Sequence, residues 1–160
     1  MLFTLRPLVL ESQGLVATLN SMAGKMKETY NQNVVIDAPV GVVESLEQTK
    51  QAVIFYIAEE AVNNARKHAK AENIYVRLKM LRENLVLLEI QDDGVGFDVK
   101  AVGSSYENRG SLGMVNMRER TELVNGIFHV ESEPGRGARI HVVIPLTDDA
   151  AERIRRGGKS

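Results

Sequence analysis

A carboxylate, an amide and a histidine recur at four-residue intervals along one predicted helix. Glu60, Asn64 and His68 lie within the segment 54–68, and at about 100° per residue they share one edge of its apolar stripe. Lys67 lies beside them. An amide oxygen and a carboxylate one turn apart can bind Mg²⁺, which prefers oxygen ligands and completes its coordination with water and phosphates. The same spacing is typical of the polar border of an ordinary amphipathic helix, so both interpretations stay open.

An acidic and glycine-rich run follows a predicted buried strand. The run Asp92-Asp-Gly-Val-Gly-Phe97 carries Gly94 and Gly96, which permit a sharp backbone turn and the close approach of a flat ligand. The Asp92 carboxylate at the strand end can accept a hydrogen bond from an exocyclic amine such as that of adenine, and Phe97 can cover a ring face. Asp-Gly is also common in plain turns. The run therefore indicates either a purine pocket or a turn.

The segment Gly110-Ser-Leu-Gly113 opens the third predicted helix after a long polar loop. A helix start of this kind offers unpaired backbone N–H groups and the positive end of the helix dipole, which suit a phosphate. The alternative is an ordinary loop-to-helix junction. Arg118 and Arg120 follow within the helix, and we expect both to be solvated. The sequence contains no P-loop motif.

Hydrophobic periodicity predicts the elements that position these residues. Helices are predicted over 8–30, 48–69 and 112–125, and strands over 33–36, 74–80, 85–90, 127–132 and 139–144. The strand 85–90 is apolar on both faces, which favours the centre of a sheet. Gly126 is expected to end the third helix in a left-handed conformation. The pattern predicts an α/β fold: a two-layer sandwich whose mixed, largely antiparallel five-stranded sheet carries the three helices on one face.

Composition narrows the function classes. The 160 residues include 20 Lys+Arg against 21 Asp+Glu, and a net charge of -1 argues against a general nucleic-acid binder. The absence of cysteine fits a reducing compartment. No apolar run approaches the roughly 20 residues that span a bilayer. We therefore expect one cytoplasmic domain that binds no nucleic acid.

The ordered set of motifs resembles a known superfamily. Glu60-x-x-x-Asn64, Asp92-x-Gly94-x-Gly96 and Gly113 before a helix resemble the gyrase, chaperone, histidine-kinase and mismatch-repair ATPases. The resemblance is closest to the ATP-binding catalytic domain of sensor histidine kinases, in the short-lid branch whose partners are usually helix-turn-helix response regulators. Further segments similar to that branch are Leu5-Arg-Pro-x-x-Leu, Met117–Arg120, Asn125-Gly126 and Glu131–Gly137. The resemblance spans about Leu5–Leu146 and implies a Bergerat-type sandwich.

This resemblance implies a role for each matching residue on the helix. Asn64 resembles the Mg²⁺-binding asparagine, and Glu60 matches the acidic residue of the same box, which polarises the attacking group or a water. Lys67 resembles the phosphate-contacting lysine, and His68 falls near the expected nucleotide. ATP and Mg²⁺ are the implied cofactors, with Asn64 and Glu60 as the metal-binding residues and Glu60, Asn64 and Lys67 as the catalytic ones.

The resemblance also implies the nucleotide pocket. Asp92 resembles the aspartate that recognises the adenine amine, with Gly94, Gly96 and Phe97 as the pocket wall. Residues 98–112 match an ATP lid, and the implied contacts at its end are Gly110, Ser111, Leu112, Gly113 and Met114. Two departures stand out: Ser111 replaces a lid glycine, and Ala138 stands where a threonine is common.

The sequence contains no phosphoacceptor motif, and this absence indicates which partner domains the resemblance implies. A histidine kinase transfers phosphate to a histidine followed by an acidic residue, whereas His68, His129 and His141 are followed by alanine or valine. The resemblance therefore implies a separate phosphoacceptor and dimerisation domain, a downstream response regulator, and an isolated domain that is mostly monomeric. We expect 1–7 to be linker from an upstream helical domain, 8–147 the catalytic domain, and 148–160 a flexible tail. The parent kinase is either soluble or membrane-anchored.

Two rival functions share these residues. One is a stand-alone serine kinase of the anti-sigma-factor type, which has the same boxes but lacks the Met117–Arg120 and Leu5–Pro7 features. The other is a degenerate module that senses ATP without transferring phosphate. The departure at the end of the lid, where Ser111 replaces a glycine, is compatible with this second function.

Overall fold

The computed structural model describes residues 8–96 and 109–157. Phe97 and most of the predicted lid, residues 98–108, lie outside this part of the chain. The helices are α1 (Leu8–Tyr30), α2 (Val40–Glu44), α3 (Gln48–Asn64), a π-helical turn (Ala65–Ala69), α4 (Arg109–Leu123) and α5 (Asp148–Gly157). The strands are β1 (Asn33–Asp37), β2 (Asn73–Arg82), β3 (Leu85–Asp92), β4 (Ile127–Ser132) and β5 (Ala138–Pro145).

The strands form one five-stranded sheet in the order β1-β2-β3-β5-β4. Only the β1–β2 pair is parallel among the described strands; β2–β3, β3–β5 and β4–β5 are antiparallel. The central strand is β3, as the apolar run on both of its faces predicts. The mixed, largely antiparallel sheet is therefore confirmed.

The main core lies between the sheet and the helices α1, α3 and α4. Its fully buried side chains come from all of these elements and include Leu15, Leu19, Ile54, Ile57, Ile74, Leu88 and Met117. Burying a leucine or isoleucine of this kind stabilises a fold by about 1.5–3 kcal/mol. Packing of these side chains fixes α3 and α4 on the sheet, and both helices carry predicted site residues.

The C-terminal segment corrects one expectation. We expect a flexible tail from residue 148, but Asp148–Gly157 is helical and Ala150 is fully buried. The Thr147 hydroxyl accepts a hydrogen bond from the Ala150 N–H at 3.0 Å, which is the geometry of a helix N-cap. Acidic residues in the first turn and arginines in the last turn complement the helix dipole. Across the described ranges, no helix has the length and apolar character needed to cross a membrane.

The end of α4 corrects a second expectation. The left-handed residue is Asn125, at φ 60°, and not Gly126. Gly126 is the next residue after the left-handed one, and its N–H donates a hydrogen bond to the Thr121 carbonyl at 3.0 Å. A Cβ at position 126 would lie 2.6 Å from the Val143 carbonyl oxygen. Glycine is therefore required here for close packing of the backbone against β5.

A half-buried carboxylate joins three strands on the sheet. Glu89 accepts hydrogen bonds from His141 at 2.7 Å and Arg77 at 3.0 Å, and Arg139 lies 3.7 Å away. Burial alone would raise the pKa of Glu89, but the hydrogen bonds and nearby positive charges outweigh it and lower the pKa. A carboxylate with a depressed folded pKa stabilises the protein above its unfolded pKa, and that stability is lost as pH falls through the folded value.

We therefore expect Glu89→Gln to lower the free energy of unfolding near neutral pH by about 1 kcal/mol or more. The difference from wild type should shrink as the pH falls through the lowered folded pKa of Glu89, because the wild-type side chain is then protonated too. Urea denaturation at several pH values measures this. Glu131→Gln is the matched control, since Glu131 is exposed and 3.7 Å from His129. Equal pH dependence in both variants would contradict the assignment.

Candidate functional site

The loop after β3 lies directly on the π turn that ends α3. The Val95 N–H donates to the Ala69 carbonyl at 2.7 Å. A Cβ at Gly94 would lie 2.2 Å from the same oxygen, so the two backbones touch. The strand-end acidic run and the predicted helix are thereby joined at one end of the sandwich.

Asp92 is the buried carboxylate of this loop. It is 8% exposed, and its Oδ1 accepts a hydrogen bond from the Gly94 N–H at 2.9 Å. Burial raises the pKa of Asp92, an effect that backbone hydrogen bonds from Gly94 and Ala138 only partly offset and that neighbouring Asp93 reinforces. A carboxylate that is costly to bury gains from a ligand that donates a hydrogen bond to it.

The turn between β4 and β5 holds the loop from its other side. The Gly135 N–H donates to the Val95 carbonyl at 2.5 Å. Gly96 has φ 68°, and a Cβ there would lie 2.1 Å from the Glu133 carbonyl oxygen. The predicted pocket wall at Gly94 and Gly96 is therefore clamped between α3 and the last hairpin.

The start of α4 meets the polar edge of α3. A Cβ at Gly113 would lie 2.7 Å from the Asn64 Nδ2 atom and 3.0 Å from the Glu60 Oε2 atom. The structure thus brings Gly113 to two predicted site residues that precede it by about 50 positions in the sequence. Glycine at 113 leaves room for both side chains.

Asn64 carries a buried amide nitrogen that has no hydrogen-bond partner among the described residues. An unsatisfied buried polar atom is costly, typically by about 1–3 kcal/mol. Rotating the amide by 180° exchanges its two terminal atoms and presents the oxygen at the same point. An asparagine oxygen beside the Glu60 carboxylate fits Mg²⁺, whose other ligands would be water and phosphate.

The remaining predicted residues lie on the π turn and at the start of α4. Lys67 and His68 are exposed on the π turn, whose i→i+5 hydrogen bonds change the helical phase assumed for them. The backbone of residues 110–112 is helical, because α4 begins at Arg109 and not at Leu112 as predicted. Ser111 and Gly110 therefore belong to the first turn. Met114 is half-buried and packs on the core.

Of the two arginines of α4 expected to be solvated, Arg120 differs from expectation and Arg118 does not. Arg120, predicted to be solvated, is half-buried with its guanidinium 4.4 Å from the centroid of the Tyr56 ring on α3. Arg118 is exposed but lies 5.0 Å from the Phe128 ring. Guanidinium groups over aromatic rings stabilise contacts between elements. Arg120 therefore helps to fix α4 on α3, a role that aromatic spacing on α3 could have signalled.

These features define a class of ATP-binding α/β sandwich. They are the mixed sheet, the carboxylate at the end of β3, and the loop with Gly94 and Gly96 beside the helix that contains Asn64. Residues 49–148 match the family model described as "Histidine kinase-, DNA gyrase B-, and HSP90-like ATPase". The chain belongs to this ATPase family, in the branch formed by the catalytic domains of sensor histidine kinases.

Several characterised and uncharacterised relatives share this domain. An uncharacterised sensor-like histidine kinase of Chloroflexus aurantiacus is 42% identical over 91% of this chain and 25% of the relative. The signal transduction histidine-protein kinase/phosphatase DegS of Bacillus subtilis is 34% identical over 89% of this chain and 37% of its own length. The oxygen sensor histidine kinase NreB of Staphylococcus carnosus is 32% identical over 90% and 40%, respectively.

A solved structure supports the fold independently. The histidine kinase domain of the Erythrobacter litoralis EL346 blue-light activated histidine kinase has a TM-score of 0.66 and 20% identity, covering 85% of this chain and 63% of that one. The chain itself spans between 25% and 40% of the length of the sensor kinases above.

Proposed function

We propose that this domain binds Mg·ATP and transfers the γ-phosphate to a histidine on a separate phosphoacceptor domain. The observation that supports it best is the close approach of Gly113 to the side chains of Glu60 and Asn64. The π turn that follows Asn64 contacts the loop after Asp92, through the hydrogen bond from Val95 to Ala69. In the transfer, the bond between the γ-phosphorus and the β,γ-bridging oxygen breaks, an N–P bond forms, and ADP leaves.

The base end of the nucleotide is proposed to bind at Asp92. Its carboxylate, whose Oδ1 is held by the Gly94 N–H, accepts a hydrogen bond from the exocyclic amine of adenine. The close backbone contact between Gly94 and Ala69 fixes the loop that carries Asp92 beside the proposed base site.

The phosphate end is proposed to lie between α3 and α4. Asn64 and Glu60 would hold Mg²⁺, which neutralises charge on the triphosphate when bound. Lys67 on the π turn and the N–H groups at the start of α4 (109–111), which have no partner within the helix, contact phosphate oxygens. Glu60 polarises the attacking imidazole. Positioning and charge neutralisation supply most of the catalysis in phosphoryl transfer.

The partners in this proposal are domains outside this chain. A phosphoacceptor and dimerisation domain of the parent kinase supplies the histidine, and a response regulator receives the phosphate downstream. We propose that the isolated domain is monomeric, acts in the cytoplasm and binds no nucleic acid. The relatives' names, which describe signal transduction and oxygen sensing, support a two-component context.

The test combines nucleotide calorimetry with phosphotransfer. Asn64→Ala removes the amide oxygen and should abolish most of the enhancement of ATP affinity by Mg²⁺, whereas Asn63→Ala, one residue away, should not. Labelled ATP with the acceptor-hairpin domain of the parent kinase should give an acid-labile phosphoprotein. An acid-stable product would favour a serine kinase, and intact binding without transfer would favour a nucleotide-sensing module. Mg²⁺-independent binding in wild type would contradict the metal assignment.

Gly113→Ala offers a second test, because the added Cβ would meet only the ends of two side chains. These ends can move, so the fold should survive, and alanine favours the helix by up to about 1 kcal/mol. We expect little change in the midpoint of thermal unfolding but roughly tenfold slower phosphotransfer, since displacing a positioned group is costly. Gly24→Ala in α1, where nothing lies within 4 Å, is the control and should retain full activity. Unchanged transfer in Gly113→Ala would contradict the site.

A further inference from the structure

Asp93, the neighbour of Asp92, holds the loop that joins the π turn to β2. Its Oδ1 accepts hydrogen bonds from the Glu72 N–H at 2.8 Å and the Asn73 N–H at 3.0 Å. Its Oδ2 accepts from the Asn73 side-chain amide at 3.0 Å. Three donors therefore converge on one exposed carboxylate, more than a solvated surface aspartate would have.

The same two segments are joined in the opposite direction as well. The Asp93 N–H donates to the Asn73 carbonyl at 3.3 Å, and the Val95 N–H donates to the Ala69 carbonyl at 2.7 Å. Residues 69–73 and 93–95 thus form a clamp of five hydrogen bonds, counting the three to the Asp93 carboxylate. We call these two segments the D93 clamp.

The D93 clamp is also anchored to the rest of the sandwich. Gln32, which is 8% exposed, donates to the carbonyls of Ala71 at 3.3 Å and Glu72 at 3.2 Å. The hydrogen bonds from Asn73 and Glu72 lower the pKa of Asp93, so the carboxylate is ionised at neutral pH and its bonds are charge-assisted. Gln32, in the connection between α1 and β1, therefore holds the D93 clamp against the rest of the sandwich.

Asp92 and Asp93 differ in role because successive side chains near a strand end point to opposite sides. Asp92 is buried and its Oδ1 is oriented by the Gly94 N–H, whereas Asp93 is exposed and faces the loop 72–73. Gly94 lies between Asp93 and Val95, both of which belong to the clamp. The position of the Gly94 N–H, and hence the orientation of the Asp92 carboxylate, depends on the clamp.

We propose that Asp93 is a positioning residue for purine selectivity: through the D93 clamp it aims Asp92 at the exocyclic amine of the base. This inference rests on the proposed binding of adenine nucleotides. It assigns Asp93 to the base end of the pocket alone. Removing its carboxylate should therefore impair recognition of the amine and spare the contacts with phosphate and metal.

The test compares ADP with IDP, whose hypoxanthine ring has a carbonyl in place of the amine. Wild type should prefer ADP. Asp93→Ala should weaken ADP binding by about fivefold or more, because the Asp92 carboxylate is no longer oriented toward the exocyclic amine. IDP binding should change little, because IDP has no such amine. Asp93→Asn keeps one acceptor oxygen and should restore part of the preference. Asp37→Asn, at an exposed position on β1, should behave as wild type.

Amide hydrogen exchange separates this inference from the proposed function, since it needs no nucleotide. Exchange at Glu72, Asn73 and Gly94 should accelerate in Asp93→Ala and less so in Asp93→Asn. If wild type binds neither nucleotide, the proposed function is wrong whatever the exchange shows. If ADP and IDP weaken equally, or if ADP binding and exchange are both unchanged, Asp93 does not set selectivity and the inference is overturned.

Discussion

Asp92→Asn is expected to weaken ATP binding by about tenfold to a hundredfold without destabilising the unliganded domain. A hydrogen bond between the adenine amine and a buried carboxylate is charge-assisted and contributes about 1.5–3 kcal/mol. Asparagine has nearly the same shape but replaces one acceptor oxygen by a donor, which opposes the amine. The loss should therefore come from the chemistry of the contact and not from repacking.

The stability of the unliganded variant should move in the other direction. Because burial raises the folded pKa of Asp92 above its unfolded value, the charged carboxylate opposes folding once the pH exceeds its folded pKa. Stability associated with Asp92 is thus present at low pH and lost as pH rises through the folded value. Removing the charge should leave the midpoint of thermal unfolding at neutral pH equal to or above that of wild type.

Calorimetric titration and thermal unfolding of the same preparation measure both quantities. Asp37→Asn removes an equivalent charge from an exposed position on β1 and should change neither. ATP affinity within twofold of wild type would show that the purine does not bind at Asp92. A large drop in the unfolding midpoint would show instead that Asp92 is needed for the fold.

Much of the fold could be predicted because apolar periodicity reports burial. The run 85–90 has apolar residues on both faces, and β3 is the central strand. The pairing of Asn64 with Gly113 followed from recognising an ordered set of motifs, since neither residue type identifies a site by itself. The structure adds the contact itself.

Other features depend on tertiary contacts that leave little trace in a pattern. The predicted placement of Lys67 and His68 uses the 100° per residue of a regular α-helix. The π turn changes this angular spacing from Ala65 onward. Asn125 takes the left-handed conformation, and the next residue is glycine because the Val143 carbonyl oxygen leaves no room for a Cβ at position 126. The hydrogen bonds of Asp93 leave no sequence pattern either, because its partners Glu72 and Asn73 are about 20 residues away and only the fold brings them together.

Gly137→Ala is expected to cost about 3 kcal/mol or more, a large part of the stability of a typical domain. Gly137 has φ 74°, and a Cβ there would lie 2.2 Å from the Asp92 backbone carbonyl oxygen. That oxygen belongs to the central strand, which cannot shift without disturbing its pairing with β2 and β5. The clash adds to the cost of placing alanine at positive φ, about 1–2 kcal/mol.

Gly135→Ala separates the two contributions, since Gly135 lies in the same turn at φ 83° and a Cβ added there would meet nothing within 4 Å. It should cost only about 1 kcal/mol, from backbone strain alone. Urea denaturation of both variants gives the difference, and any folded Gly137→Ala should also bind ATP weakly because the obstructed strand end carries Asp92. Equal costs for the two variants would mean that β5 relaxes away from Asp92, and that the close backbone contact does not fix the carboxylate.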